Sequence, residues 1–324
     1  MIDARGLLLR CSRQENSDLF RLAIGGYGLF GIIYSVTLRL VPRKKINRYV
    51  EIEVIENLIY AVNKRIDDGF TYGDFQFSTD ETPEDFLRKG VFSSYRPIDT
   101  DIPIPTDQKK LSADDWKNLL MLAHIDKGKA FQIYSDFYLS SSNQLYYSDT
   151  HQLSIYIDDY HGDMDLKLGT VNPASEIITE IFVPRDMLEE FMRIVRVDFI
   201  DNDVNLIYGT IRMIERDDES YLAWAKQSYA CVIFNLYTEH TNEGIAHTKE
   251  AFRRLIEIAI YFGGSYYLTY HKFATRRQVQ ACYPEFRAFL RQKMLYDPEE
   301  RFQSDWYRHH KSLFTEKNFA TVHA

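Results

Sequence analysis

The stretch AIGGYGLFGIIYSVTLRLVP, residues 23–42, limits the fold more than any other part of the chain. It holds a G-x-G-x-x-G at Gly26, Gly28 and Gly31, the spacing of a dinucleotide-binding turn. A Rossmann turn has a strand before the glycines and a helix after them, so that the helix N-terminus meets the pyrophosphate. Here the order is reversed. Upstream, Leu19, Leu22 and Ala23 fall at helical spacing behind Asn16 or Ser17 as N-cap. Downstream, Ile32, Tyr34, Val36, Leu38 and Leu40 alternate with Ile33, Ser35, Thr37 and Arg39 up to Pro42, the pattern of a strand. The glycines therefore close a helix and open a strand, which argues against a Rossmann domain. On spacing alone they read as a turn that needs positive φ.

Further along, Val50, Ile52 and Val54 alternate, and the period changes to helical through Leu58, Val62 and Ile66. A Pro-rich piece, YRPIDTDIPIPTDQKK, reads as an extended surface segment. FQIYSDFYL, QLYYSD and LSIYIDDYH read as strands. Then EIITEIFVP predicts a strand ending at Pro184, before a helix that buries Leu188, Phe191, Met192 and Val195. NLIYGTIRMIERD and ACVIFNLYTEH are two more strands, with a helical SYLAWAKQ between them. Residues 244–262 form an amphipathic helix closed by Gly263 at C′. SYYLTYHKF is a final strand, and a helix from about Pro284 carries Phe286, Phe289, Leu290 and Met294. Helices interspersed with antiparallel-looking strands predict an α+β fold rather than a doubly wound sheet.

Charge and cysteine content exclude several functions. Lys and Arg number 39 against 47 Asp and Glu, a net charge of −8 with no basic stripe, which speaks against a nucleic-acid partner. Cys11, Cys231 and Cys282 are distant and odd in number, so neither a disulfide framework nor a zinc site follows, and a reducing, cytoplasmic setting is the default. No apolar run is long enough for a membrane span. The 15% aromatic content suits sheet packing and a cleft lined by rings.

The segment DLFRLAIGGYGLFGIIYSVTLRLVP resembles the end of the FAD-binding domain in the vanillyl-alcohol-oxidase, PCMH-type flavoproteins. GGSYYLTYHKF and the closing D-P-x-x-R-F-x-S-D at Asp297, Pro298, Arg301, Phe302, Ser304 and Asp305 resemble the C-terminus of its sugar-alcohol and aldonolactone oxidase branch. The resemblance implies the C-terminal part of a PCMH-type FAD-binding domain plus an α+β cap domain with a mainly antiparallel sheet. It divides the chain into residues 1–45, the end of the FAD-binding domain, 46–262, the substrate or cap domain, and 263–324, a segment returning to the flavin. It also implies FAD as cofactor, oxidation of a polar, sugar-like small molecule, and backbone at Gly26, Gly28, Gly31 and Ile32 close to the adenosine part of FAD. Tyr267 takes the place of a Tyr or His against the isoalloxazine. Three positions on, the usual Lys is replaced by Tyr270, and Lys272, on the same face of a strand, could supply the cation. Arg212 matches the Arg of the branch's Glu-x-Arg strand, with Thr210 in place of Glu. An ordinary strand arginine paired with Glu215 or Asp217 carries equal weight.

Nothing in the chain resembles the N-terminal lobe that cradles the pyrophosphate. Three explanations stand: a fragment, a separate polypeptide that carries the lobe, or a relic without cofactor. In the second, the chain is a non-catalytic cap awaiting its lobe. Other polar clusters are weaker. IDDYHGDMD gathers Asp158, Asp159, Asp163 and Asp165 around His161 but lacks the EF-hand glutamate, and reads as a solvated loop with Tyr160 and His161 as lesser substrate candidates. His240 and His247 read as surface residues, His309 and His310 as part of an exposed tail, and Cys231 as core.

Overall fold

The computed structural model of the protein describes residues 1–81, 84–149 and 160–315. Asp158, Asp159 and most of LSIYIDDYH lie outside the described residues, as do the side chains of His161 and Asp163.

The organising element is an eight-stranded sheet: β1 (Lys45–Val54), β2 (Tyr72–Phe77), β3 (Lys89–Ile98), β4 (Leu145–Tyr147), β5 (Ala174–Pro184), β6 (Leu206–Ile214), β7 (Tyr229–Glu239) and β8 (Ser265–Tyr266). The spatial order is β4-β1-β3-β2-β6-β7-β5-β8, and the paired strands run antiparallel. The fold is α+β, as the alternation of β-branched and aromatic residues predicts. Residues directly opposite in an antiparallel ladder share a face. The register aligns Phe92, Phe75, Ile211, Val232, Ile181 and Tyr266 on one face. It aligns Arg212, Cys231, Phe182 and Ser265 on the other.

The first face is covered. Helices α2 (Ile55–Asp67), α6 (Leu188–Asp201) and α7 (Asn242–Tyr261) lay Leu58, Leu188, Phe191, Val195, Phe252 and Leu255 into the same buried cluster as Phe75, Ile211 and Val232. Each fully buried side chain of this size contributes about 1.5–3 kcal/mol. Pro184 ends β5 and α6 follows a short 3₁₀ turn. Gly263 follows α7 at φ +73°, the left-handed conformation expected of a C′ glycine.

Helices α3 (Ala113–Ile125) and α4 (Lys127–Ser140) cover part of the second face, packing Leu119, Tyr134 and Tyr138 on Val91, and α3 reaches β5 where His124 Nε2 lies 3.0 Å from Glu176 Oε1. Here FQIYSDFYL is helical, not a strand. Its rings at 131, 134 and 138 recur at helical spacing, and Asp126 caps the helix by accepting from the Lys129 amide at 3.0 Å. QLYYSD supplies β4. Tyr160 opens α5 (Tyr160–Leu168). SYLAWAKQ forms turns instead of a helix, because its amides bond elsewhere. Asp217 Oδ1 accepts from the Glu219 and Ser220 amides, and the Tyr221 amide donates to Arg21 O, 200 residues away in sequence.

Helix α1 (Ser17–Ala23) buries Leu19 and Leu22 as the spacing predicts, though Asn16 caps it without a side-chain hydrogen bond. The predicted strand after the glycines has the alternation but no ladder. Ile32 exchanges two backbone bonds with Ile2, at 2.8 and 2.9 Å, and the backbone of residues 33–41 pairs with nothing described. Tyr34, Val36, Leu38 and Leu40 stand 68–83% exposed. A strand needs a neighbour, and the described chain offers none there. At the far end SYYLTYHKF yields two strand residues and one further rung, Tyr267 N to Glu180 O at 2.9 Å, before the backbone bends. Three helices close the chain: α8 (Arg276–Cys282), α9 (Phe286–Tyr296) and α10 (Asp305–Phe314). WYRHHK is therefore helical rather than a loose tail, with His310 buried against Trp306 and Phe286. No described helix is long and apolar enough to cross a membrane.

Candidate functional site

The glycine turn holds its shape through its own chain. Gly28 and Gly31 have φ of +70° and +144°, as the turn reading predicts. Gly26 abuts the end of α1: a Cβ there would lie 2.0 Å from Leu22 O. At Gly28 a Cβ would meet nothing within 4 Å, so this backbone is bare toward open space. A cavity of about 240 Å³ runs beside Met1, Ala23, Gly26, Gly28 and Gly31.

The two terminal motifs meet at this turn. The Tyr27 ring stacks on Trp306 at 3.8 Å and 8°, and the Trp306 indole donates to Leu268 O at 2.9 Å. Burial pushes the Tyr27 phenol up to about 12, and Thr269 and Tyr267 stand beside it. One residue beyond Gly28, Leu29 O accepts from Lys293 Nζ at 3.0 Å. Lys293 is buried against Asp297, which also accepts from the Arg301 and Phe302 amides at 2.9 and 2.8 Å. Arg301 then donates to Ala4 O at 3.0 Å. The D-P-x-x-R-F sequence is thus a clasp that fastens the C-terminus to the glycine turn and the first residues.

From the turn, polar side chains continue across the second face of the sheet. Tyr267, half-buried, lies edge-on to Tyr270 at 5.3 Å and to Trp224 at 6.1 Å. Tyr270, exposed at the rim, donates its hydroxyl to Glu180 Oε1 at 3.1 Å. Burial and the Glu180 charge push that phenol up to about 12. Cys231 Sγ lies 3.6 Å from Glu180 Oε2, and burial with that same charge pushes the thiol up. Opposite Cys231 in the register stands Arg212, exposed. Neither predicted carboxylate pairs with it in a salt bridge: Glu215 bonds Arg185, and Asp217 holds its own loop. The charge beside Arg212 is Asp74 instead.

Asp74 is only 6% exposed, and its Oδ1 has no hydrogen-bond partner. Burial raises its pKa to about 6, against the pull of Arg212 and Arg48. The carboxyl lies at the edge of a cleft of about 660 Å³, formed because β2 and β6 share the single register pair Phe75–Ile211 and part beyond it. Leu58 and Arg65 of α2, Tyr95 of β3 and Arg212 help to line it.

Of the predicted residues, the structure gathers Tyr267 and Tyr270 at one place, joins them to the glycine turn through Tyr27, and leaves Arg212 further along the same face. Lys272 goes elsewhere. The backbone bends after Tyr267, so strand alternation does not apply, and Lys272 faces Asp305, His309 and His310 of α10. Thr210 is buried and donates to Phe75 O at 3.1 Å. Sequence reasoning passed over Asp74 and Glu180. Each is a lone acid within an apolar strand, in YGDFQF and IITEIFV, and that is a readable signal, since an unpaired buried charge is costly. Tyr160 donates to Glu176 at 2.7 Å, away from Tyr267 in the register. His240 and His247 are exposed and Cys231 is buried, as expected. No cluster of metal-ligating residues occurs among the described residues.

Comparison with known proteins returns distant relatives. The chain is 21% identical over 314 residues to cytokinin dehydrogenase 9 of Oryza sativa subsp. japonica, covering 92% of the chain and 58% of the relative. It is 40% identical over 52 residues to cytokinin dehydrogenase 4 of the same plant, covering 16% of the chain and 10% of the relative. The chain spans little more than half the length of cytokinin dehydrogenase 9. These relatives are dehydrogenases, and they lend no support to the narrower sugar-alcohol oxidase branch. No family model matches the chain.

Proposed function

We propose that the chain is the cap and C-terminal portion of an FAD-dependent oxidoreductase, divided at about residues 45 and 262 as the resemblance implies. The observation that carries this is the junction of the two terminal motifs: Tyr27, between two turn glycines, stacks on Trp306 and stands beside Tyr267. The residues fit the cofactor. Bare backbone at Gly28 and the adjoining cavity suit the adenosine end, with Gly26, Gly31 and Ile32 behind it, and the Tyr267 ring suits the flavin end. FAD, when bound, would supply the two-electron oxidation. The chain's own groups would bind and orient the substrate. Arg212 and Asp74 offer a cation and an unpaired acceptor to a polar molecule, while Tyr267 and Tyr270 wall the reacting end. The relatives' name makes a cytokinin the first substrate to try, and a sugar alcohol the second.

The apolar ribbon Tyr34–Leu40 favours a companion reading, in which this portion is not catalytic alone and needs a separate polypeptide with the pyrophosphate-binding lobe. A row of exposed apolar residues beside unpaired backbone calls for a sheet neighbour. The visible spectrum of the purified chain tests both. Flavin bands after incubation with FAD support the oxidoreductase. A colourless sample that turns yellow only with an added N-terminal lobe supports the companion reading. A sample colourless in both settings ends the flavin assignment.

A further inference from the structure

Dehydrogenation of H–C–X–H to C=X, with X oxygen or nitrogen, releases a hydride from carbon and a proton from X. The proposed cofactor takes the first; the second needs a base on this chain. We propose that Glu180 is that base and that Tyr270 positions it, an assignment that rests on the flavin reading above.

Four observations converge on Glu180. It lies on the uncovered face of β5, where Ile178 and Phe182, the neighbouring residues of that face, are apolar. Its backbone carbonyl accepts from the Tyr267 amide at 2.9 Å, which seats the carboxylate on the strand adjacent to the Tyr267 ring. Its two oxygens are held by neutral donors, the Tyr270 hydroxyl at 3.1 Å and the Cys231 thiol at 3.6 Å, and it forms no salt bridge among the described residues. Neutral donors fix the orientation of a carboxylate without placing a cation against it. Its rivals are disqualified by their surroundings. The phenol of Tyr270 and the thiol of Cys231 are both raised and serve as donors at neutral pH. Lys272 faces α10. Asp74 lies three strands away, beyond Arg212.

The step balances. As the C–H electron pair leaves with hydrogen to the oxidised flavin, the X–H proton passes to Glu180, the C=X bond forms, and the carboxylic acid later returns its proton to solvent at the exposed rim. The groups that face Glu180 are Tyr267 and Tyr270 from the last ribbon, Cys231 from β7, and Arg212 beyond Cys231 on β6.

Two measurements on the intact chain decide it. Without any flavin, absorbance titration of phenols compares Glu180→Gln with Glu180→Gln/Tyr270→Phe. A phenol that ionises well below pH 12 in the first and is missing from the second supports the contact. No such difference overturns the assignment, whatever the activity. With FAD-reconstituted protein, a cytokinin as probe and a dye as acceptor, Glu180→Gln lowers kcat by about 10²-fold or more with KM little changed, and abolishes the acidic limb. Tyr270→Phe keeps that limb but shifts it, with a loss of about 10-fold. Full kcat in a yellow Glu180→Gln sample overturns the base while leaving the flavin reading intact. A wild-type chain that takes up no FAD, with or without the lobe, overturns both.

Discussion

The two faces of the one sheet differ in what they cost and what they offer. Alternate residues of the same strands serve opposite ends: Phe75, Ile211, Val232 and Ile181 pack into the apolar cluster under the helices, whereas Asp74 and Cys231 are buried beside the charges of Arg212 and Glu180. The first face supplies stability, and the second gives up some of it to keep a buried carboxyl with one unbonded oxygen and a line of polar groups. The chemistry proposed for this protein lies on the face that folding alone would have filled with apolar side chains.

Truncation on the covered face has the largest effect. Phe234 is fully buried between Phe77 and Phe199, and Phe234→Ala lowers stability by about 3–5 kcal/mol in urea unfolding. A loss under about 1 kcal/mol would mean that the two faces are not so different.

On the second face the sign reverses. The Asp74 carboxyl has its folded value raised to about 6 from 3.8, so the folded state holds a proton that the unfolded chain has released between those values. Stability therefore falls as pH rises from about 4 to about 6, by roughly 2–3 kcal/mol. Asp74→Asn removes that slope and makes the protein more stable at pH 7 by a similar amount. A variant less stable than the parent at pH 7 would show that Asp74 is a structural ion rather than a group held for use.

The junction between regions comes next. Tyr27→Leu deletes the stack on Trp306 and costs about 1 kcal/mol, with a change in tryptophan fluorescence that reports the loosened turn. Least of all, Arg212→Ala leaves stability at pH 7 within about 0.5 kcal/mol, because the side chain is exposed and forms no salt bridge among the described residues. It moves the Asp74-linked pH slope upward, since a positive charge holding that carboxyl down has gone. An unmoved slope would separate the two residues.

Strands with β-branched alternation, such as EIITEIFVP, and helices with broad apolar faces, such as Leu188–Val195, could be read directly. Their period is local and their burial follows from it. FQIYSDFYL misled because aromatic content suggests a strand while the decisive feature was the 131–134–138 spacing. SYLAWAKQ misled because its amides bond to a distant carbonyl and a side chain. At the site, the aromatic pair Tyr267 and Tyr270 came from motif likeness. Asp74 and Glu180 lay in plain sight as acids in apolar strands, and Lys272 was misjudged because the bend after Tyr267 leaves no mark in composition.

By itself the sequence determined the two periodicities, the reversed helix–glycine–strand order and the placement of charges within strands, since each depends on neighbours a few residues apart. Only the tertiary structure decided which part of the sheet stays open, that Tyr27 meets Trp306, 279 positions away in the sequence, and that residues 33–41 find no described strand to pair with. Those outcomes depend on contacts between segments far apart in the chain, and no local pattern encodes which distant partner a backbone will meet.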